Sequence, residues 1–174
     1  MDDFSTYQGA LNVFKRVNFV GNQENCIFGA IVDHSKSSEF TASMIGNGLL
    51  GTVGLIAGQE LMRAREERLS KFSDFFYVLL NITEKGVGIM PLYGMPYKID
   101  PEKMEPRYDG FIFFNKEEVL GIGSKNYYGI RKSVKTITIT LVNNKKMYFT
   151  ANIKENKLPY QEPSMKNIVE RYQK

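Results

Sequence analysis

The chain has 174 residues, a formal net charge of +4 and 43% hydrophobic residues. This length corresponds to one domain, and this apolar content excludes an intrinsically disordered chain. Cys26 is the only cysteine and His34 the only histidine, which excludes a disulfide framework and a zinc site built from several such residues. The scarcity of both residue types favours a binding module over a thiol or metal enzyme.

The charge is divided unevenly along the chain. Residues 1–74 carry seven basic and nine acidic residues, whereas residues 75–174 carry sixteen basic and ten acidic residues. The C-terminal part is therefore the predicted surface for an anionic partner such as a phospholipid headgroup. Sixteen of the 23 basic residues are lysine. Because arginine is the usual residue for bidentate recognition of nucleic acid, we do not expect a nucleic-acid partner.

The first predicted elements are a short helix and a buried strand. Apolar residues recur at helical spacing over residues 7–14, with Ser5 as the predicted N-cap. Gly21-Asn22 predicts a turn. The apolar run CIFGAIV then predicts a buried strand at about residues 24–34.

A glycine-rich stretch without charge follows. Residues 40–59 contain five of the 15 glycines, and a charged segment at helical spacing comes directly after them. We predict a glycine-rich helical insertion near residues 40–72. Gly51, Gly54 and Gly58 lie one helical turn apart, a spacing that lets a second backbone approach closely. These glycines are therefore predicted to pack on the rest of the domain, on a second copy of the chain, or against lipid.

The same stretch admits two further interpretations. Gly46, Gly48 and Gly51 fit the pattern of a loop that holds the pyrophosphate of a nucleotide cofactor. That fold needs parallel β-α-β units, whereas the following sequence predicts antiparallel hairpins, so we expect no cofactor. Twenty uncharged residues are also the length that crosses a bilayer, which would make this a small membrane-anchored protein. The glycines and polar residues of the stretch disfavour insertion.

Residues 75–151 predict a series of short strands. Their predicted bounds are 75–82, 87–92, 110–114, 118–123, 137–141 and 147–151. Gly86 closes the first hairpin and is expected to have a positive φ. Residues 94–109 contain three of the six prolines and predict a loop. Asn143-Asn144 predicts a two-residue hairpin turn.

The last predicted element is a helix over residues 163–173 that begins at Pro163. Its apolar positions lie on one stripe, which must dock on an apolar surface: Met165, Ile168, Val169 and Tyr172. Hairpins followed by one such helix resemble the bacterial pleckstrin-homology-like and GRAM-like families. The stretches that carry the resemblance are FFYVLLNITEKGVGIMPL, FIFFNKEEVLGIGS and VKTITITLVNNKKMYFTANI.

The resemblance covers about residues 75–173. It implies an α+β fold, in which a bent antiparallel barrel is capped by the C-terminal helix and residues 1–174 form a single domain. These families carry no catalytic set, so the resemblance implies a non-enzymatic module that binds lipid headgroups or a protein partner. The start MDDFS lacks a basic region followed by an apolar run, and we expect a cytoplasmic protein, free or associated with a membrane.

One basic and aromatic stretch, KNYYGIRKSVK, is the predicted ligand site. In the fold that the chain resembles, it would be a loop between two late strands. There the basic side chains would meet phosphate groups, and the tyrosines would lie at the membrane interface. The residues predicted to form one anion-binding patch are Lys125, Tyr127, Tyr128, Arg131, Lys132 and Lys135.

Overall fold

The computed structural model of the protein describes residues 3–31, 77–93, 99–127 and 131–172. The predicted helical insertion near residues 40–72 lies outside the described residues. Three predictions fall there with it: the Gly46-Gly48-Gly51 loop, the Gly51-Gly54-Gly58 stripe and the membrane span over 40–59. Tyr128 also lies outside the described residues.

The described residues form two α-helices and eight strands, an α+β fold as predicted. The helices are α1 (Tyr7–Lys15) and α2 (Gln161–Tyr172). The strands are β1 (Asn25–Ile31), β2 (Tyr77–Thr83), β3 (Gly86–Tyr93), β4 (Glu105–Pro106), β5 (Ile112–Asn115), β6 (Val119–Tyr127), β7 (Arg131–Leu141) and β8 (Lys146–Asn152). Short 3-10 turns cover Pro101–Lys103, Tyr108–Gly110 and Lys116–Glu118.

The strands form one open antiparallel sheet in the order β4-β3-β2-β1-β8-β7-β6. β5 pairs with β3 as well, at the end of β3 away from β4. α2 packs against both β1 and β6, although β8 and β7 lie between these two strands. The sheet therefore curves around α2. We call the face that α2 covers the inner face, and the opposite face the outer face.

Each face carries its own hydrophobic core. The inner core joins alternate residues of most strands to Met165 and Ile168 of α2. The outer core lies over β1, β2 and β3 and includes Phe14 of α1 and Cys26 of β1. Because both faces are covered there, every residue of β2 is buried. β7 and β8 contribute apolar residues to the inner core alone.

The Gln161 side chain helps to join the two halves of the sheet. Within the described residues, β1 and β8 pair at Ala30–Thr150 and Ile31–Phe149. Beside this ladder, toward Phe28 and Asn152, the Gln161 amide bridges the two strands. The Phe28 N–H donates to Gln161 Oε1 at 2.7 Å. Gln161 Nε2 in turn donates to the carbonyl oxygens of Phe28 at 2.9 Å and Asn152 at 2.8 Å.

Both helix starts differ from their predictions. Thr6, and not Ser5, is the N-cap of α1, since its hydroxyl accepts from the Gly9 N–H at 3.0 Å. α2 begins at Gln161, two residues before Pro163. Proline is tolerated at the third helical position because the first N–H groups of a helix have no partner within the helix.

Two connections also differ from their predictions. The β7–β8 loop has three residues and not two, because Leu141 N donates to Lys145 O and Asn144 has a φ of 63°. This is the three-residue hairpin in which a left-handed residue follows a turn. The predicted loop over 94–109 contains β4, whose neighbour Arg107 donates its N–H to Pro91 O. The positive φ of Gly86 is confirmed at 138°.

The β2–β3 turn is fastened to the segment that follows α1. The Glu84 carboxylate accepts from the N–H groups of Asn22 at 2.7 Å and Gln23 at 3.0 Å. These two bonds, that from Gln23 first, hold the pKa of Glu84 below its usual range. The ionised carboxylate is therefore the form that holds this contact.

Replacing Gln161 by leucine is expected to lower the free energy of unfolding by about 3 kcal/mol, because Phe28 loses both partners in a buried site. Gln161 is 0% exposed. Urea unfolding of Gln161→Leu and of Gln8→Leu, a control on the exposed side of α1, tests this. A Gln161→Leu protein as stable as the control would show that the amide does not hold the seam.

Because of the Glu84 contact, we expect the stability of the fold to depend on pH. Its lowered pKa means that the contribution is fully present above the unfolded glutamate pKa of about 4.3 and is lost as the pH falls through the folded pKa. When the thermal unfolding temperature is measured from neutral to acidic pH, it should fall less below a pH of about 4.3 in Glu84→Gln than in wild type. An unchanged acid profile in Glu84→Gln would contradict the assignment.

Candidate functional site

The predicted anion-binding stretch is a β-hairpin and not a loop. Lys125 of β6 lies opposite Thr136 of β7, and Asn126 lies opposite Lys135. Tyr127 and Arg131 pair after a register shift, with residues 128–130 between them lying outside the described residues. Strand pairing therefore decides where these side chains point.

The hairpin register separates Lys135 from the other lysines. Lys135 alternates with Ile137 on the inner face, is 8% exposed, and donates from Nζ to Asn126 Oδ1 at 2.7 Å. Lys125 is exposed on the outer face, since it lies one register step away from the Asn126–Lys135 pair. Lys132 is exposed and lies in the irregular part of the hairpin, where the pairing shifts between Asn126–Lys135 and Tyr127–Arg131, so strand alternation does not assign it to a face. The expectation of a single patch does not hold for Lys135.

The outer face of β6, β7 and β8 is a regular grid of small polar residues. The three registered rows run from β6 through β7 to β8: Gly121–Thr140–Lys146, Gly123–Thr138–Tyr148 and Lys125–Thr136–Thr150. We call these nine residues the threonine grid. A groove of about 530 Å³ lies on it. Its lining also includes Ile122, Ser124 and Asn126, which lie between the grid residues along β6, the strand at the edge of the sheet.

Two glycines, Gly121 and Gly123, form part of the floor of the groove. A Cβ built on Gly121 or Gly123 would meet no atom within 4 Å, and neither residue has a positive φ. Neither packing nor backbone conformation in the described part of the chain requires glycine there. Glycine inside a strand costs about 0.5–1 kcal/mol relative to alanine, and it often marks a place where a ligand or another backbone approaches closely.

The grid presents hydroxyl groups between positive charges. Lys125 and Lys146 occupy opposite corners, with Cα atoms roughly 17 Å apart for ordinary strand spacings. Both lysines are exposed, as is Lys132. The outward positions of β6, β7 and β8 carry no carboxylate within residues 119–127 and 131–152. The groove is therefore suited to an acceptor-rich, negatively charged ligand.

The sequence pattern missed most of this surface. The alternation ITIT over 137–140 predicted which residues share a face, but not which strands lie beside them. The grid residues that were not singled out are Gly121, Gly123, Thr136, Thr138, Thr140, Lys146, Tyr148 and Thr150. Period-two alternation was the only available signal, and it is shared by ordinary solvent-exposed strands.

A second groove of about 470 Å³ lies between α1, the start of β1 and α2. Its polar groups bind one another. The Tyr7 hydroxyl donates to Glu24 O at 2.9 Å, and Asn167 Nδ2 donates to Asn25 Oδ1 at 2.9 Å. These contacts fasten the two helices to β1, so this groove has a structural role.

Cys26 does not add reactive chemistry to either groove. It is fully buried in the outer core, where burial raises the pKa of its thiol. A thiol that stays protonated is a poor nucleophile. Cys26 is therefore a small core residue.

Replacing Gly123 by alanine should stabilise the fold, by about 0.5 kcal/mol, because the added methyl group meets open space and the strand gains an ordinary β-residue. Urea unfolding of Gly123→Ala measures this, with Gly29→Ala as the contrasting variant. A Cβ at Gly29 would lie 2.8 Å from Thr150 O, so that change should be destabilising. A destabilised Gly123→Ala protein would mean that the glycine has a packing role.

Among the residues that the structure describes, no helix has the length and apolar character needed to cross a membrane. Comparison of the chain with family models, curated proteins and solved structures gives no match.

Proposed function

We propose that the protein is a non-enzymatic binding module, and that its ligand is the phosphate-bearing headgroup of an anionic lipid. The ligand lies on the threonine grid. The observation that carries this proposal is the combination of a glycine-floored groove, threonine hydroxyls and exposed lysines on one face that the described residues leave uncovered.

The chemistry of the grid supports a phosphate group. Threonine hydroxyls and lysine ammonium groups donate hydrogen bonds to phosphate oxygens, and lysine acts as a point charge that tolerates several geometries. A lysine near an anionic membrane surface contributes about 1 kcal/mol of attraction. Lys125 and Lys146 project from the same face, so their attractions to one surface add.

The arrangement of elements supports the family resemblance. An open antiparallel sheet curves around a C-terminal helix that covers its inner face. We propose that this is the capped barrel of a pleckstrin-homology-like domain, with residues 1–174 as one unit. In this arrangement the helix protects the inner face, and the outer face of β6, β7 and β8 is the binding surface at the membrane.

Vesicle binding tests the proposal. The wild type should bind phosphatidylcholine vesicles that contain phosphatidylglycerol, more weakly as salt rises, and should not bind phosphatidylcholine alone. The Lys125→Ala/Lys146→Ala protein should bind about 30-fold more weakly, at about 1 kcal/mol per lysine.

Lys85→Ala is the matched control, because it removes an exposed lysine from the β2–β3 turn. Glycerol phosphate, added as a soluble competitor, separates recognition of the free phosphate group from recognition of the membrane. Failure of the wild type to bind at low salt would end the proposal. Equal losses in the Lys85→Ala control would show a general charge effect and not a site.

A further inference from the structure

Lys135 is a buried cation whose charge is uncompensated within the described residues. Its side chain is 8% exposed, and its Nζ donates to the neutral Asn126 Oδ1 at 2.7 Å. The ion pairs formed within the described ranges involve other basic residues. An ammonium group has three donors, and a buried charge normally has an anionic partner.

Ser124 is a second buried donor beside it. Ser124 is 2% exposed, and within the described residues its Oγ has no hydrogen-bond partner. It lies opposite Ile137, and Lys135 is two residues before Ile137, so the two polar side chains are diagonal neighbours on the inner face. Such neighbours have Cβ atoms roughly 7 Å apart, within reach of one small group placed between them.

From these two observations we infer that Ser124, Asn126 and Lys135 form a binding site for a single oxyanion group, a carboxylate or a phosphate. Lys135 Nζ and Ser124 Oγ donate to its oxygens. Asn126 Oδ1 holds the ammonium group in place, and its Nδ2 group is a further donor. Asn126 is only partly buried, so the site borders solvent on that side.

This site differs from the proposed lipid site. Lys135 lies on the inner face, whereas the threonine grid lies on the outer face of the same hairpin, although Ser124 and Asn126 also border the groove on the grid. An oxyanion can accept hydrogen bonds from both unpaired donors at once. A cation would be repelled by the Lys135 ammonium group, and a neutral water molecule would leave its charge uncompensated. The inner site therefore selects a ligand by charge and by its two acceptor oxygens.

The experiment measures unfolding of the full chain in sodium phosphate and in sodium acetate, each against sodium chloride of equal ionic strength. When the oxyanion concentration is ten times the dissociation constant, binding should raise the folding equilibrium constant roughly ten-fold. A response to phosphate alone identifies a phosphate ligand, and a response to acetate as well identifies a carboxylate-sized site. A wild type whose stability is the same in all three salts would overturn the inference.

Two variants locate the response. Lys135→Met keeps the length of the side chain without its charge and should abolish the response. Asn126→Asp places a carboxylate where the amide oxygen now meets Nζ, so it should be more stable than wild type in chloride and insensitive to phosphate. Asn126→Asp keeps the test decisive if Lys135→Met does not fold.

Lys85→Met is the control, because it removes an exposed lysine from the β2–β3 turn, away from both sites. It should keep the full response of the wild type. Loss of the response in Lys85→Met, or a response retained in both Lys135→Met and Asn126→Asp, would place the anion elsewhere and overturn the inference.

Discussion

The architecture depends on one buried amide. β1 and β8 diverge on the Phe28 side of the Ala30–Thr150 pair, where the Gln161 side chain supplies the contacts that Phe28 and Asn152 would otherwise lack. Unpaired backbone groups in this position would each cost about 1–3 kcal/mol. The same contact fixes where α2 begins, and so which apolar stripe faces the sheet. The amide thus holds two half-sheets and one helix in a single arrangement.

The two halves of the sheet have different outer faces. α1, together with the segment before α2, covers β1, β2 and β3, and the four rings of Phe14, Phe19, Phe111 and Phe113 extend this cover. β6, β7 and β8 instead present hydroxyls, glycines and lysines on the outer side. A sheet buried on both faces has no room for a ligand, whereas a sheet buried on one face offers the other. Both candidate sites belong to the second half.

Local signals predicted the local features of this fold. The α+β class, the Gly86 turn and the main strands follow from period-two alternation and from the backbone freedom of glycine. The burial of Lys135 and its contact with Asn126 were not predictable, because they depend on the register that places the two residues opposite each other. Gln161 carries no local signal either, since its partner Phe28 is 133 residues away. The predicted site residues therefore lie on two strands and not in one loop, and the register decides which of them share a face.

The distance in sequence between Phe28 and Gln161 also bears on how the chain folds. β1 lies near the middle of the sheet, yet the backbone groups of Phe28 stay without their partner until α2 has formed. Contacts between such distant residues close large loops and slow folding. During synthesis, the backbone groups of Phe28 would wait until α2 has emerged. We therefore expect the native sheet to be completed in a late folding step that couples the docking of α2 to the joining of the two halves of the sheet.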